Sequence, residues 1–506
     1  MKIVNLLPLL LSCVAFLLCG CSDDDKQEEI VSELNFLKGT EFSVSIKADG
    51  GSASTLVNST SSISLHTIVD WVSTSVTEVS ENTYSVQIDI AANSSANERK
   101  TAVTIENEDG IYQLRIEVVQ AGKRAVIEAK ELNEVAKLLG IGWNLGNHFD
   151  SYGMTKYSWW DLSTPSQSLY DKLKEYGFSS VRIPVTWYPY MGAAPDYTIE
   201  SKYLDLIESN VSMALKSGLA VVINIHHDGA ESKNWLDIKG AAKSAERNDT
   251  VKAEIKAVWT QIANRFADFD ESLVFEGFNE LHDGGWGWGD NRKDGGKQYA
   301  ILNEWNQLFV DVVRGTGGNN ATRYLSVPAY STNIDLAKSD FVLPKDVVSD
   351  KLILSVHFYD PYNFTLEDSK SEWGHTGDAS KKVDGSDETY VLKQFKVLYD
   401  TFVKDGVPVY IGEFGCVRRS DSRSEQFRRY WLEYIVKAAK TYSLPLMYWD
   451  NNAKETGLEN SGVIDHSTGS LNNSDSETVV NLMTSAWNKD DEEYTIEWVY
   501  DNQAPE

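Results

Sequence analysis

A chain of 506 residues is too long for one ordinary domain and long enough for a large enzyme core. Its formal net charge of −28 disfavours nucleic acid, anionic membrane surfaces and polyanionic substrates such as pectin. Neutral glycans are not excluded, and 15 Trp and 24 Tyr supply flat apolar faces of the kind on which sugars stack.

The first 21 residues read as an address. Lys2 precedes an apolar run from Ile3 to Leu18, broken only by Asn5, Pro8, Ser12 and Cys13. That is the charged start and apolar middle of a secretory signal, and it is short for a membrane span, which needs roughly 20 apolar residues. The run ends Leu18-Cys19-Gly20-Cys21. This resembles a bacterial lipobox, which implies lipidation at Cys21 and a membrane attachment made only through that lipid. Residues 22–35 read as a linker. Its Ser22-Asp23-Asp24-Asp25 resembles the acidic export tag of surface lipoproteins in Bacteroidetes-type bacteria, which implies an outer-membrane protein exposed at the cell surface. Of Cys13, Cys19, Cys21 and Cys416, only Cys416 lies in the body of the chain, so no internal disulfide is expected there and Cys416 reads as a small buried residue.

Residues 36–122 are rich in Ser, Thr and Val, with period-two stretches such as 84–90 and 114–118. This pattern predicts a small β-sandwich. The stretch from Ala91-Ala92-Asn93 through Arg99 to Ile105, closing at Val118-Val119-Gln120-Ala121-Gly122, resembles a BACON domain. That name implies carbohydrate binding. With Trp71 as its one tryptophan the segment offers no aromatic platform, and a spacer role is favoured. Residues 123–128 read as a short link.

From residue 129 to 490 the rhythm changes to short β-branched runs alternating with helical patterns. The runs are 142–145, 180–184, 220–225, 273–278, 324–327, 352–356, 408–412 and 445–449, and helices are expected over 166–176, 203–217, 251–266 and 425–439, among others. Eight strand–helix repeats predict an α/β fold, a (β/α)8 TIM barrel. A doubly wound open sheet would carry a Gly-rich phosphate loop after its first strand, and the sequence has none. Residues 491–506 read as an acidic tail.

Polar and aromatic residues fall at the C-terminal ends of the runs, where a barrel gathers its active site. They are Asn147 and Asp150, Arg182, His226 and His227, Asn279 and Glu280, His357 and Tyr359, Glu413, and Trp449. Glu280 follows the fourth run and Glu413 the seventh, so two carboxylates can face one cleft, the requirement of a glycosidase. Arg182 is expected to keep Glu413 ionised, and the Glu413 charge to raise the pKa of Glu280. His226 shares strand parity with Asn224 and is favoured over His227 as a substrate contact. No His-Glu-x-x-His spacing, metal-ligand cluster or Gly-x-Ser-x-Gly elbow is present, so neither metal nor cofactor is called for. Trp286 and Trp288, on a Gly-rich loop beside Glu280, are candidate sugar platforms. Trp159 and Trp160 read as one core and one exposed residue.

The motifs Gly277-Phe278-Asn279-Glu280, Val356-His357-Phe358-Tyr359, Ile411-Gly412-Glu413-Phe414-Gly415, Arg182-Ile183-Pro184 and Asn224-Ile225-His226-His227 occur together and in order. At these residues the chain resembles glycoside hydrolase family 5. The resemblance implies a retaining mechanism with Glu280 as acid/base and Glu413 as nucleophile. It implies that Asn279 binds the sugar 2-hydroxyl, that Tyr359 and Arg182 orient the nucleophile, that His226 and His357 contact substrate or the acid/base, and that Trp449 floors the sugar at the cleaved bond. The nearest-looking subgroup consists of endo-β-1,4-glucanases, with xyloglucan favoured by the two-domain surface-lipoprotein architecture. The expected partner is a neutral β-glucan and the expected state a monomer. An endo-mannanase or xylanase of the same fold is the rival enzyme reading, and a non-catalytic surface glycan-binding protein the rival outside catalysis.

Overall fold

The computed structural model describes residues 33–39, 41–95, 97–108, 110, 112–151, 165–229 and 235–506. Cys21 and the signal region, the acidic segment 22–25 and the Trp159–Trp160 pair lie outside the described residues. Two compact units divide the chain between Ala125 and Val126.

The first unit holds strands β1 (Leu34–Phe36), β2 (Phe42–Ile46), β3 (Gly51–Ser59), β4 (Ile63–His66), β5 (Val72–Ser80), β6 (Thr83–Ile90), β7 (Arg99–Asn107) and β8 (Gln113–Gln120). They form two four-stranded sheets, ordered β1-β3-β6-β5 and β2-β8-β7-β4. Alternation along β6, β7 and β8 turns Val86, Ile88, Val103, Ile105, Ile116 and Val118 into one dry cluster and leaves the polar residues between them outside, which is what a half-buried antiparallel sheet requires. Trp71 is covered by the Arg99 guanidinium, 4.2 Å from the ring centre.

The second unit is a closed eight-stranded barrel in the order β10-β11-β12-β13-β14-β15-β16-β9. Its strands are β9 (Ile141–Leu145), β10 (Ser180–Ile183), β11 (Ala220–Asn224), β12 (Leu273–Glu276), β13 (Leu325–Pro328), β14 (Leu352–Phe358), β15 (Val409–Phe414) and β16 (Leu446–Asp450). All neighbouring pairs are parallel. Nearly every strand residue is buried, because one face meets the interior and the other the ring of helices; the runs therefore read as continuous apolar stretches rather than alternating ones. Residues 491–506, expected as a tail, include the helix Ile496–Gln503, whose Ile496 and Val499 are buried in the main core. The end of the expected link, from Val126, also belongs to this unit: Ile127 N donates to the Glu497 carboxylate at 2.6 Å.

Strand parity layers the barrel interior. At the bottom, Ala220, Val222, Val274, Ile353 and Met447 form an apolar plug with Val135 and Leu139 from the helix Glu134–Leu139. Two residues further along β11, β12 and β14 the interior turns polar: Asn224, Glu276 and Ser355 are fully buried, as are Asn144 on β9 and Arg182 on β10. The next inward positions open into the cleft and carry His226, His357, Glu413 and Trp449. One irregularity matters for chemistry. Val356 pairs with Ile411, but His357 pairs with Glu413, so Gly412 is an extra residue in β15. Without this bulge the Glu413 side chain would lie on the opposite face from the one His357 occupies. A Cβ at Gly412 would stand 3.0 Å from His357 Nε2, tighter than a side chain tolerates without displacement.

Candidate active site

The site is built on Arg182. Its guanidinium is fully buried and spends its donors on four residues: Nε on Glu276 at 2.8 Å, one terminal nitrogen on Glu413 at 2.7 Å and Asn144 at 3.1 Å, and the other on Asn279 Oδ1 at 2.7 Å. Such charge-assisted bonds from a planar fork fix geometry as well as charge. Glu413 accepts a second bond from the Tyr359 hydroxyl at 3.0 Å, so its two oxygens are held from two sides. Because Arg182 takes the Asn279 oxygen, the Asn279 amide nitrogen remains as a donor.

Glu280 meets His357. Its Oε1 lies 2.6 Å from His357 Nδ1 and 3.3 Å from the Thr332 hydroxyl, which donates to it. His357 Nδ1 also stands 3.6 Å from Glu413 Oε2. One oxygen of Glu280, one of Glu413 and His357 Nδ1 all fall within 4.8 Å of one another. Separations of roughly 5–5.5 Å belong to retaining glycosidases, whereas inverting ones leave about 6.5–9.5 Å for a water.

The proton balance of this trio corrects one expectation. Burial pushes Glu280 up, but the charge and hydrogen bond of His357, with His282 and His227 beyond, bring it below the ordinary range. Burial raises Glu413 even though His357 and Arg182 favour its anion, and the Glu280 charge adds to the rise. His357 is raised: burial opposes its charge, but the two carboxylates outweigh burial. Glu280 is thus lowered through His357 rather than raised by the Glu413 charge as expected, and Glu413 is raised by burial despite Arg182. With His357 neutral, burial and the Glu413 charge would both raise Glu280. The trio titrates as a unit.

His226 contributes a donor. Asn224 Oδ1 accepts the Val185 N–H at 3.2 Å, and its Nδ2 donates to Glu276 at 3.0 Å and to His226 Nδ1 at 3.1 Å. That fixes the amide orientation and puts the His226 proton on Nε2. His226 stays neutral because burial, and then the charges of His227, Arg182 and His357, lower its pKa well below the usual range. Asp150, His226 and His227 approach one another closely enough to suggest a metal, but the His226 nitrogen facing Asp150 at 3.9 Å carries a hydrogen, so the donor set does not fit one. Burial raises Asp150 to about 7 against the backbone N–H groups of its own residue, His148 and Asn147. Asn147 has φ 52 and gives its N–H to Asp150 at 3.2 Å; it is tied to Asp150 and to neither glutamate. His227, half-buried, has Nε2 3.8 Å from Asp150 and a pKa lowered by burial to about 4.

Trp449 lies nearly parallel to His226, 5.8 Å between ring centres and 7° between planes. Gly146 permits this, since a Cβ there would fall 2.9 Å from the indole. Behind Trp449, the Asp450 carboxylate accepts Trp143 Nε1 and the N–H groups of Asn452, Val463 and Ile464 at 2.8–3.0 Å, locking the loop that follows β16.

The cellulase family, glycosyl hydrolase family 5, matches residues 144–455. The chain belongs to that family. A family 5 subfamily 4 broad-specificity endoglucanase of Bacteroides salanitronis is 50% identical in sequence, covers 72% of this chain and 98% of its own, and superposes with a TM-score of 0.68. A family 5 xyloglucanase of Bacteroides ovatus, solved with a XXXG heptasaccharide, is 27% identical, covers 90% and 100% of the two chains, and has a TM-score of 0.61. Among curated relatives, endoglucanase A of Paenibacillus barcinonensis is 36% identical over 63% of this chain and 82% of its own. A xyloglucan-specific endo-β-1,4-glucanase of Bacteroides ovatus is 30% identical over 90% and 91%.

Within this family 5 barrel, sequence reasoning missed Glu276. It accepts from Arg182, Asn224, Ser355 at 2.7 Å and the Tyr410 hydroxyl. Burial pushes it up, but Arg182, then His357 and the two hydroxyls, more than cancel this and leave it below the usual carboxylate range. A signal existed: it is the one charged residue in the otherwise apolar run 273–278. His282 was also missed. It is buried, its Nδ1 accepts the Gly284 N–H at 2.9 Å, and its ring backs Trp286 at 4.2 Å.

Proposed function

We propose that this family 5 chain is a retaining, endo-acting glycoside hydrolase that cleaves β-1,4-glucan backbones. The observation that carries the reading is the close approach of Glu280 and Glu413 with unlike partners: Arg182 and Tyr359 on Glu413, His357 and Thr332 on Glu280. Glu413, held as an anion by Arg182, attacks the anomeric carbon of the sugar lying on Trp449. Glu280, drawing on the proton shared with His357, protonates the departing glycosidic oxygen, so that the C–O bond breaks as the ester to Glu413 forms. Glu280 then takes a proton from water, and the resulting hydroxide equivalent displaces Glu413 from the anomeric carbon. Two inversions give net retention. His226 Nε2–H and the Asn279 amide donate to hydroxyls of the sugar at the cleaved bond, bonds that strengthen as charge develops.

We infer a xyloglucan preference from the likeness to the Bacteroides ovatus enzymes, which extends over 90% of this chain and thus beyond the barrel. The N-terminal β unit is proposed to be a BACON domain acting as a spacer. Lipidation at Cys21 is proposed to anchor the chain at the outer membrane. Product analysis on xyloglucan, barley glucan, carboxymethyl cellulose, mannan and xylan tests the substrate reading. Release of oligosaccharides from xyloglucan at the highest kcat/KM is expected. Preferential cleavage of mannan or xylan would overturn it, and absence of any reducing-sugar release would favour a binding protein.

A further inference from the structure

We propose that Thr332 is a positioning residue for the acid/base, its hydroxyl turning between the Ser331 carbonyl and Glu280 Oε1 as Glu280 regains and loses its proton; this rests on the glucanase reading above. Thr332 closes a buried turn, Tyr330–Thr332, just beyond β13. Its Oγ1 lies 2.7 Å from Ser331 O and 3.3 Å from Glu280 Oε1. A hydroxyl carries one hydrogen, so rotation about the Cβ–Oγ1 bond decides which of the two acceptors receives it.

The backbone under this hydroxyl is strained. Ser331 and Thr332 both stand in the left-handed region, at φ 52 and 47. For a β-branched residue that is a genuine outlier, and it persists only where the surroundings over-determine it. Here hydrogen bonds do so. Ala329 N donates to Ser355 O at 3.2 Å, Ser331 N to Leu281 O at 3.0 Å and Thr332 N to Ala329 O at 2.9 Å. Leu281 follows Glu280 directly, so the turn is pinned to the segment that carries the acid/base. The Tyr330 hydroxyl donates to Gln298 at 2.8 Å, and Asn333 Oδ1 caps the helix Ile334–Asp340 through Leu336 N at 3.0 Å. Glycine would take this backbone without strain, but it would leave Glu280 without the hydroxyl.

Both protein partners of Glu280 converge on one oxygen. Oε1 meets His357 Nδ1 at 2.6 Å as well as Thr332, and Oε2 has no hydrogen-bond partner among the described residues. Oε1 is therefore the anchored oxygen, and Oε2 is left for the glycosidic oxygen. While Glu280 is the uncharged acid, Oε1 is a weak acceptor and Ser331 O, the nearer one, holds the hydroxyl. As the proton passes to the leaving group, charge spreads over the carboxylate and the hydroxyl turns to Oε1. A bond to an ionised acceptor is roughly twice as strong as a neutral one. It gains strength as the transition state is reached, the condition for raising kcat rather than tightening the ground state. When water returns a proton to Glu280 in the second step, the hydroxyl turns back. No bond to Thr332 forms or breaks except these hydrogen bonds.

The test uses the full chain and its Thr332→Ser, Thr332→Val and Thr332→Gly variants. Cellohexaose has a leaving group that needs a proton, whereas β-cellotriosyl fluoride releases an anion that departs without one. The Val and Gly variants should each lose about tenfold in kcat/KM on cellohexaose, equivalent to about 1.4 kcal/mol, and far less on the fluoride. Thr332→Ser, which keeps the hydroxyl, should stay within about twofold on both. The basic limb of kcat/KM on cellohexaose should move to higher pH in the Val and Gly variants, because a carboxylate that loses a donor holds its proton more tightly. The titratable groups facing Glu280 are His357 on β14, Tyr359 just beyond it, Glu413 on β15, His227 after β11 and His282 on its own loop. All are unchanged in the variants, so the limb reads the hydroxyl. The Gly variant separates hydroxyl from strain, since its relaxed backbone should not restore activity. Equal losses on both substrates, or a limb that stays in place, would make Thr332 a structural support and overturn the proposal, as would wild-type activity in either the Val or the Gly variant. Failure of the wild type to hydrolyse either substrate would overturn the glucanase reading itself.

Discussion

Replacing Glu276 with Gln removes one negative charge from beneath the nucleophile while keeping its shape. The amide oxygen can face Arg182 and Asn224, which only donate there, and the amide nitrogen can face Ser355 and Tyr410, whose hydroxyls turn round to accept. Removing one partner of a buried ion pair costs about 3–5 kcal/mol, and about 3 kcal/mol is expected here because Glu413 remains to balance Arg182. The catalytic effect is larger in consequence than in size. Arg182 no longer divides its charge, so the Glu413 anion is held more firmly, its pKa falls and its nucleophilicity drops. A fall of about one pH unit in the acid limb of kcat/KM corresponds to about 1.4 kcal/mol, with kcat down roughly tenfold and KM little changed. Stability adds a second check. The folded pKa of Glu276 is lowered, so its contribution is present above the ordinary carboxylate pKa and lost as pH falls through the folded value. The stability gap between wild type and variant should therefore narrow towards acid. Tyr410→Phe removes a donor and keeps the charge, and should lower stability without moving the limb. An acid limb that stays in place in Glu276→Gln, or moves up, would refute the charge-sharing account.

Three further outcomes are expected. Glu413→Gln should lower kcat by at least about 10⁴-fold while leaving glycan binding intact by calorimetry, and proton NMR of the wild-type reaction should show the β anomer before mutarotation; an initial α anomer would remove Glu413 as nucleophile. Asp450→Ala strands the Trp143 indole N–H and three backbone N–H groups, and should lower the thermal midpoint by several degrees and raise KM through a loosened Trp449, since each buried unpaired donor costs about 1–3 kcal/mol; a midpoint within a degree of wild type would contradict this. Cys21→Ser should move the protein from the membrane to the soluble fraction, and unchanged partition would count against the lipid anchor.

The barrel was legible because its strands are short, apolar and regularly spaced: the run 180–184 became Ser180–Ile183 and 220–225 became Ala220–Asn224. The cleft residues were legible because each follows such a run. What the sequence hid depends on register. Nothing in Ile-Gly-Glu-Phe-Gly signals that Gly412 is an extra residue whose bulge turns Glu413 beside His357. The lowering of Glu280 by His357 was equally hidden, since it follows from two side chains 77 positions apart meeting at one point. The helix Ile496–Gln503 was masked by the charges around it, although Ile496 and Val499 already sat on one helical face.

Arg182, on β10, touches residues carried by β9, β15 and the end of β12, so the nucleophile's geometry exists only once strands from the beginning, middle and end of the barrel have met. Partly assembled chains lacking the last strands would carry the glutamates without their alignment. Hydrolytic power should accordingly emerge late in refolding, in step with final closure of the ring.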